Sequence, residues 1–189
     1  NDFAFAGIGT GKTDQYGLYF QDQIELPYQV HIMGGIRYQY IDQTSTFINP
    51  GFESNDGSAQ DAVTPRVGLL WKPQKWLSLY ANYSESFGAN SGRIWPSRSP
   101  VPPTSAEQYE GGVKVEFFGG RLRATLAYYD LTKTNVETGD PDQTHNCGQG
   151  PGDCSLVIGA IRSRGPELDI QGEILTGWNV IATYAQTEA

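Results

Sequence analysis

The chain has little of what most soluble enzymes use. It carries only 2 cysteines, 2 histidines and 1 methionine in 189 residues, and charged residues are 18% of the total. No apolar run approaches the roughly 20 residues of a membrane-spanning helix, so any passage through a bilayer must be made by strands of about 9 to 11 residues. Lys and Arg are outnumbered, the formal net charge is −8 and no basic cluster is visible, which excludes a nucleic-acid partner. The first residues, Asn1-Asp2-Phe3, lack a basic segment followed by an apolar one; a signal peptide is expected to have been removed or never to have been part of the chain. With only His31 and His145 available, acyl-transfer chemistry has few candidate bases. His31 adjoins a short turn and His145 adjoins the cysteines, so the two are expected at opposite ends.

What is abundant is Gly, at 23 residues, and Tyr, at 11, a balance that favours strands and turns. Alternation is the dominant pattern. In Arg66 to Lys72, Val67, Leu69 and Trp71 share one face; after Pro73-Gln74-Lys75, Leu77, Leu79, Ala81 and Tyr83 share the next, opposite Ser78, Tyr80, Asn82, Ser84 and Ser86. Trp71, Trp76 and Tyr83 stand near the ends of that apolar face, where a membrane barrel carries its aromatic girdles. The same alternation runs through Gln15 to Leu26, Val30 to Tyr40, Gln108 to Phe118, Arg121 to Asn135 and a final hairpin from Leu168 to Tyr184. About eight strands result. Short turns are expected near Pro27, Pro73, Gly119 and Gly177, and long connections over Asp42 to Ala62, Gly88 to Ser105 and through the cysteines. Short connections on one side and long ones on the other are the arrangement of an outer-membrane barrel.

Other motifs are weaker. Ala6-Gly7-Ile8-Gly9-Thr10-Gly11-Lys12-Thr13 matches a relaxed phosphate-loop pattern, but Tyr16 to Gln21 alternates with period two where the required helix should begin. The segment reads as a Gly-rich loop or strand end. Cys147 and Cys154 lie in a stretch of turn formers, which favours a local disulfide and an oxidising compartment. A metal site with His145 is the rival, with an incomplete shell. Glu110, Glu116, Glu167, Asp169 and Glu173 could suggest a hydrolase, yet Lys114, Arg121 and Arg123 share their wall and read as partners across a solvated lumen.

Thr64-Pro65-Arg66-Val67-Gly68-Leu69-Leu70-Trp71-Lys72-Pro73, leading into Trp76 to Phe87, resembles the barrel of TonB-dependent siderophore receptors. Glu107 to Lys114, Gly120-Arg121-Leu122, Ala127 to Val136 and Gly165 to Glu173 are similar to the next strands of that family, in the same order. The resemblance implies an all-β transmembrane antiparallel barrel segment, some eight strands out of about 22, with residues 1–189 forming part of the barrel domain and the plug and TonB box lying outside it. It further implies an outer-membrane transporter, not an enzyme, that captures a ferric siderophore and imports it with energy relayed by TonB; no covalently bound cofactor or resident metal is expected. Ligand contacts would come from the long loops: Arg93, Trp95 and Arg98 in the second, Phe47 and Phe52 in the first. Their alternative role is packing among the loops. A passive porin or small adhesive barrel, an independent eight-stranded barrel, and a soluble sandwich binding carbohydrate or protein are the competing readings.

Overall fold

The computed structural model describes residues 7–49, 51–148 and 150–189, residues 49 and 52 by their backbone. Eight long strands form one antiparallel sheet in which every neighbour is also the next long strand in sequence. They are β1 (Ile8–Leu26), β2 (Val30–Asn49), β3 (Phe52–Gln74), β4 (Leu77–Gly88), β7 (Thr104–Phe117), β8 (Leu122–Gly139), β9 (Ser155–Leu175) and β10 (Trp178–Ala185). Between β4 and β7 lies a two-residue pair, β5 (Arg93–Ile94) with β6 (Ser99–Pro100). The meander leaves β1 and β10 as open edges.

Register places the alternation on one continuous face. Leu18 opposes Tyr38, Phe20 opposes Ile36, and Ile36 opposes Pro65. Leu69 then opposes Ala81, Leu79 opposes Val113, Val113 opposes Leu126, and Leu126 opposes Leu168. Many of these apolar side chains are exposed, Leu18 to 76%, Phe20 to 70%, Leu69 to 47% and Leu126 to 54%. Such a sheet makes sense only where the solvent on that side is lipid. Aromatic side chains bracket the band. Tyr16 and Tyr40 lie 6.5 Å apart, and Tyr83 and Tyr109 4.8 Å apart, at one end. Trp71, Trp76, Phe117 and Trp178 are exposed at the other, beside the short turns.

The opposite face is polar and partnered. Tyr80 Oη donates to Glu110 Oε1 at 2.7 Å, Gln108 Nε2 donates to Glu110 Oε2 at 3.1 Å, and Lys114 Nζ sits 4.7 Å over the Tyr80 ring. Arg123 pairs with Glu116 at 3.5 Å and Arg121 with Glu173 at 3.8 Å. Glu110, Glu116 and Glu173 are thus taken up by neighbouring donors and cations rather than poised as an acid and a base. Gly112 is required beneath Tyr80, because a Cβ there would press on the Leu126 carbonyl oxygen and the phenol ring at 2.6 and 2.7 Å.

Three boundaries expected from the sequence need correction. Asp42 to Ala62 is not a free connection: β2 and β3 stay paired from Asp42↔Ala59 up to Asn49↔Phe52. Thr, Ser and Gln satisfy no lipid face, but the ladder hydrogen bonds continue where water lies on both sides, so the strands project beyond the apolar band. The Gly-rich segment likewise enters β1 at Ile8, with Gly9 to Thr13 paired against residues 43–47, so it forms no phosphate loop; Ala6 lies outside the described residues. Finally, β8 runs to Gly139 and β9 starts at Ser155, which shortens the third connection to residues 140–154.

Candidate functional site

The site lies at the end of the sheet away from the short turns, which is the extracellular end in an outer-membrane barrel. There the second loop, residues 89–103, folds inward over the polar face. Asn90 is its hub: its N–H donates to Gln60 Oε1 at 3.0 Å, and its Nδ2 donates to the carbonyls of Pro102 at 2.6 Å and Asn135 at 3.0 Å. Gln60 Nε2 donates back to the Val101 carbonyl at 2.9 Å. Val101 is fully buried, and Ile41, the register partner of Gln60, is 7% exposed. This is where the small core of the chain sits.

Loop three is braced by the Cys147–Cys154 disulfide, with Cα atoms 5.2 Å apart. Cys147, Asp153 and Cys154 form the one grouping among the described residues with metal-ligand spacing, and its sulfurs are spent in that bond. His145 Nδ1 lies 2.8 Å from Asp140 Oδ2, and its ring stacks on Trp95 at 4.9 Å with planes 13° apart. Loops two and three are thereby joined. The His145 hydrogen bond, seconded by the Asp142 backbone N–H, holds the buried Asp140 carboxyl below the usual carboxylate range.

Of the residues singled out in the sequence, Arg93 is occupied. Its guanidinium pairs with Asp56 on β3 and donates to the carbonyls of Arg98 at 2.9 Å and Gly57 at 3.3 Å. Trp95 gives one face to His145 and leaves 40% of its surface exposed. Arg98 is exposed on the rim, in the left-handed region with φ of 56°, and its guanidinium has no partner among the described residues. Phe47 is half-buried on β2 beside Gly9; Phe52 begins β3, and its side chain lies outside the described residues. The two phenylalanines therefore stand on paired strands, apart from the loop-two group.

Between these parts is a cavity of about 390 Å³ lined by Gln43, Asp56, Ser58, Arg93, Glu137 and Ser155, among others. Gln43 and Ser58 are direct register partners, and Gln43 Oε1 and Ser58 Oγ are both buried with no hydrogen-bond partner among the described residues. Ser155 Oγ donates to Glu137 Oε1 at 2.7 Å. Gly92 lies so close to both that a Cβ would overlap them. Sequence reasoning missed Gln43, Ser58, Glu137 and Ser155. The signal was present in their inward parity, but it was hidden while residues 42–62 and 136–155 were read as loop. A second hollow of about 510 Å³ lies lower on the wall, beside Arg37 and Arg66.

A curved meander with a lipid face, girdles at both rims and polar loops folded inward defines a large outer-membrane barrel. The description "TonB dependent receptor-like, beta-barrel" matches residues 4–189. The chain belongs to this family. It is 33% identical over 182 residues to the metal-pseudopaline receptor CntO of Pseudomonas aeruginosa, covering 94% of the chain and 24% of that protein. It is 31% identical to the ferrichrome outer membrane transporter/phage receptor of Escherichia coli, covering 94% of the chain and 22% of the relative. The crystal structure of the ferripyoverdine receptor of the Pseudomonas aeruginosa outer membrane superposes with a TM-score of 0.73 at 26% identity, over 94% of the chain and 23% of that structure. The chain thus spans about a quarter of the length of these relatives and is one sector of an outer-membrane barrel. The family is one of receptors and transporters, not enzymes.

Proposed function

We propose that the receptor containing this chain binds a ferric siderophore at the extracellular end of its barrel and imports it to the periplasm with energy supplied through TonB. The observation that carries this reading is the polar cavity beneath loops two and three, set in the wall of a TonB-dependent-receptor barrel. Two relatives of the chain are named for metal-chelate and ferrichrome traffic, which supports the same ligand class. Trp95 and Arg98 form the outer rim, offering an aromatic face and an exposed cation to an incoming chelate. Arg93 acts indirectly, fixing loop two to β3 through Asp56. Phe47, on β2 beside Gly9, stands at the margin of the site.

Binding of iron-loaded and iron-free chelates to the intact receptor in detergent, read by quenching of its Trp fluorescence, tests the reading. The ferric form is expected to bind at least about tenfold more tightly, and Trp95→Ala to remove much of the quenching. A folded receptor that ignores every ferric chelate but conducts small solutes in liposomes would be a passive channel.

A further inference from the structure

We infer that the cavity under loops two and three receives a hydrogen-bond-donating, uncharged or cationic part of the chelate, an amide, hydroxyl or ammonium group, and rejects catecholate rings and carboxylate arms. This rests on the import reading above and narrows its ligand class. Three observations converge on it. Gln43 Oε1 and Ser58 Oγ, on register partners across the β2–β3 ladder, are buried and without a partner among the described residues; the amide oxygen can only accept, so what completes it must bring an N–H or O–H. The balance of charge inside the cavity is negative: Glu137 and Asp153 both line it, the Arg93 guanidinium is paired with Asp56, and Lys12, 76% exposed, pairs with Asp14 at 2.7 Å. An anionic arm placed there would face a carboxylate without a compensating cation. Last, among the described residues none of the lining side chains is aromatic, so a catechol ring would find no face there to stack on. The aromatic and cationic groups, Trp95 and Arg98, lie outside the cavity on the rim.

The test compares two kinds of ferric complex on the intact receptor in detergent: a linear trihydroxamate ending in a free ammonium group, and a tris-catecholate or citrate-type carboxylate. The hydroxamate is expected to bind at least about tenfold more tightly. Gln43→Leu should weaken it about tenfold by removing the acceptor, and Ser58→Ala by a smaller factor, with heat-shifted electrophoretic mobility confirming a folded barrel in each variant. If the anionic complexes bind as well or better, or if both variants leave the hydroxamate affinity unchanged, this inference falls while chelate import stands. If neither kind of complex binds the folded parent receptor, this inference falls, and the import reading falls with it when every other ferric chelate also fails to bind.

Discussion

Gly92 occupies a place no side chain can share, since a Cβ would run into Glu137 and Ser155. Loop two can therefore lie against β8 and β9 only with glycine there. Gly92→Val should unseat the loop, and a cysteine probe at Val101, fully buried in the parent, should change from unreactive to reactive toward a maleimide. Asp140 makes a second residue-scale prediction. Its carboxyl is depressed by His145, so its contribution is present above the unfolded value of about 4 and lost as pH falls through the lower folded value. Residues 140–154 should accordingly become open to an acid-active protease only beneath about pH 4, and Asp140→Asn should abolish that acid step. Residue types and positions of loop-two candidates were legible in the sequence. Their availability was not, because the partner that occupies Arg93 stands 37 positions away on a stretch whose pairing local pattern does not reveal.

At the scale of elements, alternation located all eight long strands and their common face, since a period of two with lipid on one side leaves each side chain a single acceptable direction. It failed at the strand ends. Beyond the girdle both faces meet water, polarity ceases to alternate, and only the ladder distinguishes a projecting hairpin such as 42–59 from a loop. The fold of loop three follows from its composition more directly. Its disulfide joins residues seven apart, and closing so short a segment is worth about 2 to 3 kcal/mol in the chain-entropy account. Replacing both cysteines by serine should leave the barrel's thermal transition intact while exposing residues 140–154 to proteolysis, together with loss of the Trp95–His145 stack.

For the whole molecule, the open edges at β1 and β10 are decisive. Unpaired backbone groups along two long strands are untenable in hydrocarbon, so the remaining strands of the receptor must meet them there. The same picture changes how the apolar band should be understood. Leu18, Phe20 and their neighbours touch no packed interior; their surroundings are acyl chains, which flow. A vacancy cut into that surface heals at once. Leu18→Ala in the intact receptor should therefore lower stability by the transfer free energy alone, about 2 kcal/mol, without the cavity penalty that takes buried leucines toward about 5. Reversible unfolding in lipid vesicles would measure it. Sequence drift among similar apolar residues on this face should be nearly neutral, because a liquid imposes a polarity but no shape.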